Sequence, residues 1–141
     1  MVHQKPNIAM DDYFLLPVQG FERSVRIFYD QLVLATKLSN YIRYHHLEQD
    51  EGSGSPKSRE YYVKLTVKDC HLLKLPEFMT VNRGVIINRK HVVDCYQAKT
   101  ASKQLHLLMS NGMTVAVSKT HIKKVREIYF PHGKIKAKIP D

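Results

Sequence analysis

Residues 78–92 read FMTVNRGVIINRKHV, and the fold turns on how the centre of this stretch is read. Val85, Ile86 and Ile87 form an unbroken β-branched run, bracketed by Asn82-Arg83-Gly84 on one side and Asn88-Arg89-Lys90 on the other. With no polar residue in the run to turn toward water, it reads as a short strand buried on both faces. Asn and Gly suit its ends, because both tolerate the backbone of a tight turn. A basic residue also stands at each end, and a strand holds its ends apart in space. We call the end with Asn82-Arg83-Gly84 end A and the end with Asn88-Arg89-Lys90 end B.

Working outward, β signals dominate. Residues 13–18, 25–35, 41–47, 60–65, 85–87, 91–96, 104–109 and 113–117 are rich in β-branched and aromatic side chains. Several alternate, as in Tyr41-Ile42-Arg43-Tyr44-His45, which suits an antiparallel sheet with one solvated face. The low-complexity segment QDEGSGSPKSR, residues 49–59, reads as a flexible tip between two strands. Ser110-Asn111-Gly112-Met113 predicts a two-residue hairpin of type I′. Two short helices are expected. Thr66-Val67-Lys68-Asp69 matches a capping box opening a helix to about Lys74. A second helix starts after Ser118 and buries Ile122, Val125 and Ile128/Tyr129. The expected fold class is mainly β: small stacked antiparallel sheets with two short helices.

Antiparallel parity then sorts the loops. A strand at 91–96 returns to end A, 104–109 goes back to end B with the Asn-Gly turn, and 113–117 delivers Ser118-Lys119-Thr120-His121 to end A. End A thus gathers Arg83, Lys99, Lys103, Lys119 and a helix N-terminus. Free backbone N–H groups beside Lys and Arg favour phosphate. Asn and Arg in tight loops can also reach base edges.

Composition agrees with a single domain of 141 residues, expected as 1–12 extension, 13–130 domain and 131–141 basic tail. No window approaches a membrane span, and the N-terminus lacks a signal pattern, so a cytoplasmic location is expected. Cys70 and Cys95 read as small apolar residues of a reducing compartment. The net charge is +9, and all of it lies in residues 78–141, since residues 1–77 hold ten basic and ten acidic side chains. Such one-sidedness implies a polyanion, nucleic acid above all. His45 and His46 would point to opposite faces of a strand, and no metal-ligand spacing occurs, so no cofactor or metal is expected. Without a nucleophile elbow, phosphate loop or carboxylate pair, an enzyme is not expected.

The residues now quoted resemble a known family. FMTVNRGVIINRKHV is similar to the central signature of the LytTR DNA-binding domain family, and LLMSNGMTVAVSKTHIKKVRE to its closing segment. Residues 25–35 with Ser39-Asn40-Tyr41-Ile42 resemble its opening strands, and EYYVKLTVKDCHLLKLPEF its strand, helix and Pro-Phe approach. The resemblance implies a bacterial, response-regulator-like transcriptional regulator whose loops enter successive major grooves, often bending the duplex. It nominates Asn40, Arg83 and Thr120 as base-directed positions, with Lys37, Asn82, Lys119 and His121 beside them. It implies paired half-sites bound by two copies, a possible homodimer on DNA, with no membrane or small-molecule substrate. The family's His-Arg-Ser reads Asn82-Arg83-Gly84 here, and its Ser-Arg-Arg reads Ser118-Lys119-Thr120, so the target sequence does not transfer. Many members carry a receiver domain, for which the 12 residues before Tyr13 are too few. The alternative reading is a protein-interaction module on the same fold, or a non-specific binder of RNA or anionic surfaces.

Overall fold

The computed structural model describes residues 12–17, 22–49, 56–98 and 104–130. Among these residues, ten strands fall into three antiparallel sheets. The central sheet has five strands in the order β5-β4-β3-β7-β6: β3 is Leu32–Leu38, β4 Tyr41–Gln49, β5 Pro56–Lys64, β6 Phe78–Asn82 and β7 Val85–Asn88. On one side lies the hairpin of β1 (Tyr13–Pro17) and β2 (Ser24–Phe28). On the other lies the sheet of β8 (Val92–Gln97), β9 (Leu105–Met109) and β10 (Thr114–Ala116), together with helix α1 (Ile122–Tyr129).

The middle layer is apolar on both faces, as the run at 85–87 predicts. Ile86 packs with Leu16, Ile27, Ala35, Ile42, Tyr44 and Phe78, toward the β1–β2 side. Ile87 packs with Leu105, Leu107, Met109, Val115 and Val125, toward the three-stranded sheet and α1. A bulge between Leu32 and Leu34 puts two successive residues, Val33 and Leu34, on the Ile87 face, while Leu32 and Ala35 stay on the Ile86 face.

Several local expectations change. The stretch 25–35 is two strands in different sheets, because a 3-10 turn, Tyr29–Gln31, carries the chain from one layer to the next. Phe78–Asn82 is a strand the alternation rule did not predict; it lies at the sheet edge with Phe78 and Met79 both buried. The first expected helix is instead a pair of 3-10 turns, Val67–Asp69 and His71–Lys74. Thr66 does accept a hydrogen bond from the Asp69 N–H, at 3.3 Å. Cys70 then takes an extended backbone. In an α-helix Cys70 and Leu72 would sit about 200° apart around the axis, yet both are buried in the same core. The break at Cys70 is what lets both face inward. The Asn-Gly hairpin is not type I′: of its loop residues only Gly112 has positive φ, at 88°. Met109 donates to the Met113 carbonyl and Gly112 to that of Met109, which makes a three-residue loop ending in a left-handed glycine. The last helix opens with a 3-10 turn, Lys119–His121, and the Ser118 side chain caps no backbone N–H. Its apolar stripe is as expected, with Val125 buried and Lys123, Lys124 and Arg126 exposed. Lys99, Lys103, the tip at 50–55 and the residues beyond 130 lie outside the described residues.

End B is held by buried polar side chains. Asn88, 1% exposed, donates to the carbonyls of Tyr29 and Leu32 at 3.1 and 2.9 Å and accepts from the Lys90 N–H at 3.0 Å. Three successive residues where β2 leads into the 3-10 turn, Phe28, Tyr29 and Asp30, are each bound by a different histidine. The Phe28 N–H donates to His46 Nε2 (3.1 Å), the Tyr29 hydroxyl bonds His71 Nε2 (2.8 Å), and His91 Nε2 donates to the Asp30 carbonyl (2.6 Å). Asn88→Ala leaves two carbonyls without their donor and is expected to lower stability by about 2–4 kcal/mol, measured by urea unfolding.

Burial pushes His46 below its ordinary value, outweighing the Glu48 carboxylate, which acts upward. Burial likewise lowers His45 and His71. A protonated His46 would set a second donor against the Phe28 N–H. In the unfolded chain these rings take up protons near pH 6.5, and in the folded protein only at lower pH, so between the two the unfolded state binds more protons. Stability is therefore expected to be full above about pH 7 and to fall progressively below about pH 6.5, until the folded-state values are passed. Urea midpoints measured across that range at fixed ionic strength check this, and His46→Gln should flatten the decline.

Candidate nucleic-acid interface

Three loops meet at end A, and backbone geometry fixes each. The β3–β4 turn is two residues long, Ser39-Asn40, closed by the pair Leu38 and Tyr41. Ser39 has φ of 55°, and among the described residues it alone is non-glycine with positive φ. A positive first position suits the right-handed twist of the flanking strands, but costs a side-chain-bearing residue about 1 kcal/mol. The Asn40 carbonyl accepts from the Leu65 N–H at 3.2 Å, and the Asn40 side chain is exposed at the tip.

The second loop joins β6 to β7 through Arg83-Gly84. Asn82 organises it from both ends of its amide. Its Oδ1 accepts from the Gly84 N–H at 3.0 Å, and its Nδ2 donates across to the Ala116 carbonyl of β10 at 2.8 Å. Arg83 is left exposed at the apex. Gly84 is not left-handed; what matters is its closeness to β3. Its carbonyl accepts from the Lys37 N–H at 2.7 Å, and a Cβ at Gly84 would lie 3.4 Å from that of Lys37.

The third loop leads into α1. The Ser118 N–H donates to the Val81 carbonyl at 2.9 Å, which brings the separate three-stranded sheet to the same end. The Ser118 hydroxyl lies 2.6 Å from His121 Nδ1 and 3.2 Å from the Thr120 hydroxyl, itself 3.1 Å from the same nitrogen. Lys119 and Thr120 are exposed and His121 half-buried.

All seven nominated residues thus stand at end A, in two groups joined by Asn82. Lys37, Asn40 and Arg83 line one groove of about 600 Å³. Lys119, Thr120 and His121 stand beyond Asn82, along β10. The same groove brings in Lys64 and Lys68, which the sequence reading did not nominate. The charge count hid them, because they belong to the electrically balanced half. The register Tyr41↔Lys64 is the signal that would have found Lys64, by folding β4 onto β5 about their tip. At end B the groups differ: Arg89 donates its N–H to the Glu77 carbonyl, and with Lys90 it lines a separate hollow closed by Ile128 and Tyr129.

Among the described residues no three His, Cys, Asp or Glu side chains are placed to hold a metal, and no helix is long and apolar enough to cross a membrane. His45 bonds Thr36 and His46 bonds Phe28, so the adjacent rings serve different contacts.

Comparison with known proteins bears on the family and the fold. The family described as LytTr DNA-binding domain matches residues 40–129, well over half of the chain. The chain belongs to the LytTR family. It is a DNA-binding domain of the kind found in transcriptional regulators. The LytTR fold is matched at TM-score 0.59 and 17% identity by the LytTr DNA-binding domain of a methyl-accepting/DNA response regulator from Bacillus cereus. That match covers 82% of this chain and 96% of the other. Comparison with curated proteins gives no match. The LytTR match begins at Asn40, so β1, β2 and β3 precede it.

Asn82→Ala removes the acceptor of the Gly84 N–H and is expected to cost about 1 kcal/mol of stability. Amide exchange followed by NMR should accelerate at Gly84 while Ile86 and Ile87 keep their protection, because they sit in the two cores.

Proposed function

We propose that this protein is a sequence-specific, double-stranded DNA-binding transcriptional regulator that reads the major groove with the loops of end A, as two copies on paired half-sites. One observation carries the reading: Asn40 and Arg83 are exposed at the tips of two turns locked together through the Lys37–Gly84 bond, with Lys37 and Lys119 beside them. Arg83 can pair with both acceptors on a guanine edge, and Asn40 with the donor and acceptor of adenine. Thr120, with its hydroxyl held near Ser118 and His121, supplies a shorter polar contact. Lys37 and Lys119 serve the phosphates, which set affinity and register but carry no sequence information. Because hydrogen bonds hold the three loops at fixed separations, the duplex must adapt to them, and its ease of bending becomes part of the selection.

Selection of bound duplexes from a random pool should recover a repeated half-site; a pool without enrichment would favour a protein-interaction role. Arg83→Ala is expected to weaken binding to the selected site by about 1–3 kcal/mol and to relax preference at one base position. Arg89→Ala, at the opposite end, should leave binding nearly unchanged. Equal losses for the two variants in a fluorescence-anisotropy titration would refute the assignment of the reading face to end A.

A further inference from the structure

The wall of the end A groove farthest from Arg83 is built from the end of β5 and the 3-10 turn that follows it, and it presents Lys64 and Lys68, both exposed. Its position relative to the reading loops is fixed. Lys64 pairs with Tyr41 across β4–β5, and the Leu65 N–H bonds the Asn40 carbonyl. The 3-10 turn is braced by Thr66, whose hydroxyl accepts from the Asp69 N–H and donates to the Asp69 carboxylate at 2.8 Å. The groove contains four basic side chains, Lys37, Lys64, Lys68 and Arg83, against one carboxylate, which that hydroxyl engages.

Strand order gives the scale. From β5 to β7 the central sheet takes three steps, through β4 and β3. At about 4.8 Å per step this is roughly 14 Å. The major groove of B-DNA is about 12 Å wide. With the Arg83 turn inside the groove, the β5 wall therefore stands over the groove's edge, where the sugar-phosphate backbone runs. We infer that Lys64 and Lys68 form a backbone clamp: a phosphate-binding wall that grips the strand bordering the major groove read by Asn40 and Arg83. This rests on the proposed DNA-reading face and adds to it two contacts that carry no base preference but hold the register.

The test is the salt dependence of binding to the selected duplex. Each phosphate contact contributes about 0.9 to the slope of log K against log salt, so Lys64→Ala with Lys68→Ala should make the slope shallower by roughly 2. The same relation predicts about five-fold weaker binding per lysine at about 0.15 M salt. Discrimination between selected and random duplexes should stay the same, since phosphates are common to both. Asp69→Asn should strengthen binding to both duplexes by relieving repulsion at the wall. Unfolding midpoints of the variants report whether the wall itself is intact, and the single variants Lys64→Ala and Lys68→Ala provide the same reading if the double variant is unstable. An unchanged slope, with Arg83→Ala still weakening binding, would overturn the clamp alone. Failure of the unsubstituted protein to prefer any duplex would overturn the clamp and the reading face together.

Discussion

Ile86 and Ile87 are joined by one peptide bond and belong to different hydrophobic cores. The other layers depend on that constraint. A strand that buries both faces must be covered twice, and the chain supplies the two covers from opposite directions: the β1–β2 hairpin and the 3-10 segment on one side, the β8–β10 sheet and α1 on the other. The β1–β2 hairpin is too small to be stable alone, and the β8–β10 sheet with α1 buries its apolar face against Val33, Leu34 and Ile87 of the central sheet. Their folding is coupled to the five-stranded sheet through apolar contact. The ends of the sheet remain uncovered, and loops there are free to carry function while the strands hold them still.

Two asparagines in the same hairpin do similar work at its two ends. Asn88 bridges the β2–β3 junction, and Asn82 bridges β10. Each also closes its own turn by accepting an N–H two residues on. The clusters Asn82-Arg83-Gly84 and Asn88-Arg89-Lys90 are therefore alike in how they are built and unlike in what surrounds their arginines. Arg83 stands beside Lys37, Asn40, Lys64 and Lys68, whereas Arg89 faces Glu77, Ile128 and Tyr129.

Much of this was legible from residues alone, where local pattern and long-range packing agreed. The doubly buried run at 85–87, the stripe on α1 and the sorting of loops between two ends all follow from period and parity. Parity survived even the change of sheet at β8, because the bond from Ser118 to Val81 keeps the two sheets' ends together. What escaped depends on distant partners. Nothing near Tyr29 announces a break in 25–35; the break is held by His46, His71, Asn88 and His91. The Thr66 cap is real, yet whether the following turn is α or 3-10 was decided by a core that needs both Cys70 and Leu72. Lys64 and Lys68 were hidden by arithmetic: their half of the chain sums to zero charge, but the fold sends several of its carboxylates elsewhere, Asp30, Glu48 and Glu77 among them.

The bulge in β3 carries a consequence for how this sequence can vary. Because Val33 and Leu34 share a face, every later residue of β3 is turned over relative to a regular strand, and Lys37 falls on the same side as Ala35, toward the 3-10 segment. Deleting Val33 or Leu34 would remove the extra residue and restore plain alternation, leaving Lys37 and the Ser39-Asn40 turn in place at the loss of one apolar side chain from the Ile87 core. Deleting Ala35 or Thr36 with the bulge kept would instead turn Lys37 to the opposite face. Tolerance for a change of length in β3 is therefore local: the bulge can give up a residue, but the residues between Ala35 and the turn must keep their number for Lys37 to stay on the groove side.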